Sequence, residues 1–549
     1  MCGIFCVLNN FSNNCDNLIS QLKFEQNIKN RGPDSFNFQV FSTNDCSLAF
    51  AGSVLWLQGK NLTPQPLEDS ESIFIYNGDI FNGFDEATQN NFGDTKLFHN
   101  FLKENIKNDT LDELYKVNGP YAFIYLDKAK KKLYFGRDIF GRRSLLLGKN
   151  KEGDTLILTS VAKRKTEFDF IEVPSVGTFC YDIQKNRFEV YCWQHKNKNY
   201  FSKLKDFESF LSTEIGNVFQ REDDKPSNDI RAFEENENLK LLKSLKDTGL
   251  NEEGNTVLDQ LLNSNLWLDN VKLLQKKCIQ NKDNCNHATI GILFSGGVDC
   301  AVLALLCDKY VDKNRPIDLI NVSFDEAKNY QSPDRISGRQ TLKELETCCP
   351  NRKWNFVEVN VTKDALDKER EVHIADLIYP LNTILDDSLG CALWFAAKGQ
   401  SKEYVTPCRV LIVGMGADEL FGGYIRYRFA LKRYSWQGLQ NLLDEDWQNL
   451  PYRNLGRDDR VVSDHGRQLR TPYLDENVVE FLRKLECWEK TYPSSDLPLG
   501  IGEKILLRSL AYHLGLKQAA TLKKKALQFG SKIANPKENG HEISSRLCY

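Results

Sequence analysis

The sequence predicts two bodies in one chain: an α+β body of stacked sheets flanked by helices up to about Trp193, then an α/β body with a doubly wound parallel sheet from about Thr289. Three observations lead there. Short apolar or alternating runs recur before Trp193, separated by Asn, Gly and Asp turns. After Thr289, strand-like runs alternate with helical ones, the pattern of parallel β-α units. Between the two, residues 221–255 are crowded with Glu, Asp, Lys and Asn and poor in aromatics, which reads as a solvated, flexible insertion.

Taken in order, the strand runs of the first body are 3–8, 36–41, 73–76, 121–126, 132–135, 156–158 and 188–192. Helical spacing of apolar residues marks 18–28 and 95–101 between them. A further helix is expected after the insertion, where Val257, Leu258, Leu261, Leu262 and Leu266 share one face. In the second body 289–294 is a buried-type strand, a helix follows through 301–306, and 317–324, 356–359 and 410–413 are further strands. After Asp444 the chain reads as helical and polar, closing over the sheet edge. Ligands of such sheets bind at the carboxyl ends of the strands.

The bulk numbers narrow the function. A chain of 549 residues is too long for one core, so two or three domains are expected. A formal net charge of −3 offers no electrostatic reason to expect nucleic acid or an anionic membrane as partner. No run of 18 apolar residues exists to span a bilayer, and Asn9, Asn10, Asn13 and Asn14 interrupt any signal-peptide core. The expected address is therefore the cytoplasm. There the 16 cysteines stay reduced, and none form the paired C-x-x-C clusters of a zinc site.

Cys2 follows the initiator Met1, and a residue this small lets the methionine be removed. That leaves a thiol and a free α-amine on one residue, and an amine with a pKa near ~8 can accept the thiol proton without a histidine. Alone, such a cysteine is more often fortuitous. Here it stands as Met1-Cys2-Gly3-Ile4, followed by Arg31-Gly32-Pro33-Asp34, Asn77-Gly78-Asp79-Ile80-Phe81-Asn82 and Gly136-Arg137-Asp138-Ile139-Phe140-Gly141. Asn77-Gly78 by itself is an ordinary hairpin signal. In this order, the set resembles class II glutamine amidotransferases, whose fold is the αββα N-terminal-nucleophile hydrolase sandwich. The resemblance implies that Cys2 attacks the glutamine amide and that the Asn77 side chain and Gly78 N–H form the oxyanion hole. It also implies that Asp94 binds the glutamine α-amino group. An arginine that clamps the glutamine α-carboxylate in this family has no counterpart in residues 50–57, ahead of Gln65-Pro66. Glutamine is therefore expected to bind weakly, unless a cation such as Arg31 or Lys60 reaches in.

In the second body, Phe294-Ser295-Gly296-Gly297-Val298-Asp299-Cys300 joins a strand to a helix. Its glycines present bare N–H groups, and the helix N-terminus adds partial positive charge, which suits phosphate. Gly414-Met415-Gly416-Ala417-Asp418-Glu419-Leu420-Phe421-Gly422-Gly423-Tyr424 follows another strand; an ordinary glycine loop explains its glycines but not its Asp-Glu pair. The two resemble the PP-loop and the signature of asparagine synthetases, a doubly wound ATP pyrophosphatase fold. Ser295, Gly296, Gly297, Asp299, Cys300, Gly414 and Gly416 are then expected at ATP, with Asp299 and Asp418 on Mg²⁺. The family usually carries serine where Cys300 stands, a stronger hydrogen-bond donor. The Lys523-Lys524-Lys525 run stands where the family has its catalytic lysine; Lys524 and Lys525 are the candidates. Leu385-Asp386-Asp387-Ser388 stands where that family recognises its acceptor, in different wording. That region, Ser332-Pro333-Asp334-Arg335 and Gln528-Phe529-Gly530-Ser531 resemble the divergent asparagine synthetase domain-containing branch.

The expected organisation is an amidotransferase domain over 1–195, a linker with the charged insertion over 196–284, a synthetase domain over 285–535 and a tail over 536–549. The expected activity is ATP- and Mg²⁺-dependent amide formation. Glutamine and aspartate are the substrates, asparagine the product. Two alternatives stay open: another carboxylate acceptor, or a catalytically weak regulatory homologue. The oligomeric state is left open, a homodimer included.

Overall fold

The computed structural model describes residues 2–9, 25–43, 46–84, 93–192, 198–219, 287–498 and 501–548. The insertion at 221–255, the helix expected around Leu258 and the start of the helix expected at 18–28 lie outside these residues.

Chain order in the first body gives β1 (Cys2–Asn9), β2 (Ser35–Ser42), β3 (Ser47–Val54), β4 (Leu67–Glu68), β5 (Ser72–Gly78), β6 (Tyr121–Asp127) and β7 (Lys132–Arg137). It continues with β8 (Leu146–Asn150), β9 (Thr155–Thr159), β10 (Phe168–Glu172), β11 (Gly177–Asp182), β12 (Arg187–Cys192) and β13 (Asn217–Phe219). One sheet has the order β10-β8-β9-β1-β3-β2 and the other β13-β12-β11-β7-β6-β5-β4. Ile4, Cys6 and Leu8 of β1 meet Ile73, Ile75, Ile124 and Phe135 of the facing sheet in one core. The alternate residues Phe5 and Val7 belong to a different core, one shared with Ile320, Val357 and Leu411 of the second body. Both faces of β1 are thus covered, so its first seven residues are all buried. The helices α1 (Glu25–Arg31) and α2 (Asp94–Asn108) flank the sandwich, with Phe98, Leu102 and Ile106 of α2 packed on the outer face of the second sheet. The second sheet continues past residue 195: α3 (Lys198–Leu211) sets Phe207 against Phe179, and β13 pairs parallel with β12.

The turn after β7 shows how a buried charge becomes structural. Arg137 donates to the carbonyls of Arg143 (2.6 Å), Val173 (3.1 Å) and Gly141, while Asp138 accepts from the amides of Phe140 (3.0 Å) and Arg142 (2.9 Å). Such a guanidinium is tolerable inside only because its donors are satisfied.

The second body is a five-stranded, all-parallel sheet of β14 (Ile290–Leu293), β15 (Ile317–Ser323), β16 (Trp354–Asn360), β17 (Val410–Ile412) and β18 (Gln468–Arg470). Its order is β16-β15-β14-β17-β18, so the winding reverses between β14 and β17. The helices needed below are α4 (Val298–Tyr310), α5 (Pro333–Cys348), α6 (Ile384–Lys398), α7 (Ala417–Phe421), α8 (Ile425–Arg453), α9 (Leu455–Ser463) and α10 (Ile505–His513). The stretch after Asp444 is not helical throughout, as its polar texture suggested: Gln468, Leu469 and Arg470 form an edge strand, all three buried. The short strand is easy to miss, because two of its residues are polar and find their partners in the first body.

Candidate active sites

Cys2 opens β1 and lines a recess together with Tyr76, Gly78, Asp79, Asp94 and Gln58. Its amide nitrogen donates to Asn77 Oδ1 at 2.9 Å, leaving Asn77 Nδ2 buried with no acceptor. A buried N–H donor without a partner beside a thiol is what an oxyanion hole requires before substrate arrives. Gly78 ends β5 beside it, where a Cβ would come 2.3 Å from the Pro120 carbonyl oxygen, so only glycine fits this approach. Burial pushes the Cys2 thiol up and nearby Asp94 and Asp79 add to this, against the opposing pull of the chain's amino end.

The sequence offered no signal that Gln65 touches the thiol. Its Nε2 lies 3.4 Å from Cys2 Sγ while its Oε1 accepts from Tyr76 N at 2.6 Å. Asp94, first residue of α2, accepts from the Tyr76 hydroxyl and the Ile80 amide, each at 3.1 Å. Burial, helped by the charge of Asp79, raises its carboxyl to about 7. No arginine or lysine is among the described residues that line this recess. Arg31 is committed elsewhere, with Nη2 2.7 Å from Asp459 and Nε 3.4 Å from the Cys2 carbonyl oxygen. Lys60 is exposed.

The recess is lined by the first body, and one of its lining residues, Asp79, is held from the second. Asp79 accepts from Gln58 Nε2 at 2.8 Å and from Gln468, with Arg470 Nη2 at 3.4 Å and Arg143 Nη2 at 3.7 Å. Asp34 is tied in the same way, to Arg409. The R-G-P-D segment therefore ties the two bodies together, with Arg31 bound to α9 through Asp459 and Asp34 bound ahead of β17.

The second cluster sits where the parallel sheet reverses its winding, so the loops after β14 and β17 lie side by side. Gly296 adopts φ 82°, and a Cβ there would sit 2.4 Å from the Ser337 backbone at the start of α5. Ser337 Oγ donates to Ser295 O and Thr341 Oγ1 to Gly296 O, each at 2.8 Å, clamping the loop to α5. Gly297 caps α4 without any side-chain bond. The first-turn amides thus keep their anion-binding capacity. Cys300 closes the loop on itself: its thiol donates to Gly297 O at 3.2 Å, and burial pushes it up to about 11.

Asp299 in α4 and Asp418 in α7 face each other across Lys504, which precedes α10. Lys504 Nζ is 2.6 and 2.8 Å from the two Asp299 oxygens and 2.6 Å from Asp418 Oδ1. Burial opposes the Lys504 charge, but the two carboxylates outweigh it and raise its pKa. Burial likewise opposes the Asp418 charge, and Lys504 and Lys524 overcome that to hold its carboxyl below the usual range. Gly414 brings the second loop against Asp299, where an added Cβ would lie 2.9 Å from the Asp299 Cβ; Gly416 packs on Leu474. Two carboxylates this close suit a divalent cation whose remaining ligands come from elsewhere.

Of the lysine run, Lys524 reaches this cluster. It pairs with Asp418 and lies 4.4 Å from the centre of the Tyr424 ring. Lys525 is exposed, and its charge acts on Asp334 instead. Arg508 holds the run in place by donating to the carbonyls of Ala520 (2.7 Å) and Leu522 (2.9 Å). Lys504 is a site residue to which the sequence assigned no role. Asp386 and Asp387, in the acceptor region, are consumed internally. Asp386 pairs with Arg457 at 2.6 Å, and Asp387 with Arg370 at 2.7 Å and Arg546 at 2.6 Å.

Among known proteins, residues 1–177 match the glutamine amidotransferase domain family and residues 285–442 the asparagine synthase family. The chain is 37% identical to an asparagine synthetase domain-containing protein of Drosophila melanogaster, over 100% of both chains. It is 34% identical to asparagine synthetase domain-containing protein 1 of Homo sapiens, over 100% of this chain and 97% of that one. The glutamine-hydrolyzing asparagine synthetase of Gallus gallus is 24% identical over 99% of this chain and 86% of its own. An amidotransferase domain followed by a synthase domain places the chain among glutamine-dependent ligases. Whole-length identity and the domain pair together show that it belongs to the asparagine synthetase domain-containing protein 1 family.

Proposed function

We propose that this chain makes an amide from a carboxylate at the expense of ATP, with ammonia taken from glutamine, and that aspartate is the acceptor and asparagine the product. The observation that carries this is the polar contact that joins the Cys2 recess to the parallel sheet. Asp79, in the recess of Cys2, is held by Gln468 and Arg470 from the strand beside β17, which leads through its glycine loop to Asp418 in α7. Two sites tied together in this way suit a reaction in which one makes the nucleophile for the other.

In this reading Met1 is removed and the Cys2 α-amine takes the thiol proton as sulfur attacks the glutamine amide carbon. Asn77 Nδ2 and the Gly78 N–H receive the developing oxyanion. Ammonia leaves, and water releases glutamate from the thioester. At the parallel sheet a carboxylate oxygen of the acceptor attacks the α-phosphorus of ATP and pyrophosphate departs. Ammonia then displaces AMP from the acyl carbon. Asp299 and Asp418 would hold Mg²⁺, which when bound neutralises phosphate charge. Ser295, Gly296 and Gly297 line the phosphates, and Lys524 stands by the transferring group as a point charge. The proposed address is the cytoplasm.

A second reading keeps the chemistry and changes the acceptor. Asp386 and Asp387 are spent on Arg457, Arg370 and Arg546, which leaves no free carboxylate there to read the ammonium of aspartate. One assay separates the readings: incubate the protein with ATP-Mg²⁺, glutamine and single carboxylates, and follow AMP, pyrophosphate and the amide. Asparagine appearing only with aspartate supports the first. AMP formed with another acid alone supports the second, and AMP with none defeats both.

A further inference from the structure

The Lys504 side chain is 1% exposed, and its ammonium occupies the space between two carboxylates carried by separate loops. The chain is built around that placement. Lys504 stands at φ 57°, a conformation that favours glycine, and is held there from both sides. Its own carbonyl accepts from Arg508 N at 2.9 Å, the Glu503 carbonyl from Arg508 Nε at 2.7 Å, and the Glu503 carboxylate pairs with Arg428 at 2.8 Å. Gly423 makes the room: a Cβ there would lie 2.1 Å from Lys504 Cε and 2.0 Å from Asp418 Oδ1.

The described residues contain no group of three or more His, Cys, Asp or Glu side chains able to hold a metal. The Asp299–Asp418 pair supplies two carboxylates, so a free Mg²⁺ there would complete its shell with water. That hydrated cation would have to displace a buried ammonium while offering it no new anionic partner. A metal already chelated by a polyphosphate differs, because its phosphates give the displaced ammonium new anionic partners.

Resting on the reading of this cluster as the ATP site, we propose that Lys504 is a built-in counter-cation that closes the Asp299–Asp418 pair to free divalent metal and yields it only to a metal–nucleoside triphosphate complex. Metal and nucleotide then enter as one unit. Lys504 is a positioning residue that preserves the spacing of the two loops between turnovers.

The test is Mn²⁺ binding to the full-length protein, followed by electron paramagnetic resonance, with and without a non-hydrolysable α,β-methylene analogue of ATP. Wild type should bind Mn²⁺ tightly only with the analogue. Lys504→Met should bind free Mn²⁺ at least about tenfold more tightly than wild type, while Lys504→Arg, which keeps the charge, should stay closed. The wild-type titration decides the matter even where Lys504→Met fails to fold: one tight, saturable Mn²⁺ site without nucleotide overturns the counter-cation role. Equal free-metal affinity of wild type and Lys504→Met overturns it as well, and leaves the nucleotide reading standing. Failure of wild type to bind the metal–analogue complex overturns the nucleotide reading, and this proposal with it.

Discussion

Arg470 Nη2 lies 3.4 Å from Asp79 Oδ2, joining the last strand of the parallel sheet to the recess of Cys2. Both side chains are buried, so losing Arg470 removes one charged partner of Asp79 in a dry interior, while Gln58, Gln468 and Arg143 remain. Arg470→Met should destabilise the protein by about 1–3 kcal/mol. The double variant with Asp79→Asn should lose clearly less than the sum of the two single losses. Thermal unfolding of all four proteins checks this; strict additivity would mean the contact carries no coupling.

On the proposed reading, Asp94 gives glutamine use a pH signature. Burial raises its carboxyl to about 7, and only the ionised form would attract the glutamine ammonium. The Michaelis constant for glutamine should therefore rise about tenfold per pH unit below 7 and level off above it. Asp94→Asn should give a high, flat value across that range. A wild-type constant that does not change between pH 5.5 and 8 would remove Asp94 from glutamine binding.

Cys2→Ala should end glutamine-dependent synthesis while sparing synthesis fed with ammonium, because the parallel-sheet cluster does not use the thiol. Intact mass should show Met1 absent from the wild-type protein. A retained Met1 in a fully active enzyme would sink the α-amine as base.

The two lysines should separate cleanly. Lys524→Met removes the cation paired with Asp418 and should lower AMP formation by roughly a hundredfold or more. Lys525→Met should change it by only a few fold, since that side chain is exposed. The reverse ranking in a pyrophosphate-release assay would assign the catalytic role to Lys525.

Asp334 supplies a stability test away from the chemistry. Burial, only partly opposed by the charge of Lys525, raises its carboxyl to about 7, and Oδ2 has no hydrogen-bond partner. Between its ordinary value near 4 and that value the folded state holds the extra proton, so stability should fall as pH rises from about 4 to about 7 and stay level above. Asp334→Asn should flatten this segment and raise Tm at pH 8. A variant less stable than wild type at pH 8 would mean that the carboxylate has a role this geometry does not supply.

Most of the strands were legible because their burial is periodic or continuous, as in β1 and β15. The stretch Ser47–Val54 was not, although it is a full central strand: its eight residues are all buried, and small or polar members such as Ala49, Gly52 and Ser53 break any pattern. Ser53 is paid for by a hydroxyl bond to Ile28 O at 2.6 Å, a partner no local reading could supply. The positions of the glycine loops and of Cys2 were legible for the opposite reason, since they stand out by residue type at short spacing.

By itself the sequence determined the two-body architecture, the position of Cys2 ahead of the first strand, the two aspartates in their glycine-rich segments and the absence of a clamping arginine in residues 50–57. Each is written in local pattern or in residue identity. Only the tertiary structure decided that Gln65 meets the thiol, that Lys504 rather than a neighbour bridges Asp299 and Asp418, that Lys524 turns inward while Lys525 does not, and that Arg470 backs Asp79 of the Cys2 recess. The physical reason is common to all four. A buried polar group is fixed by the partner that satisfies it, and here Gln65 meets Cys2, Lys504 meets Asp299, Lys524 meets Asp418 and Arg470 meets Asp79, pairs that are distant in the chain and adjacent only after the sheets close.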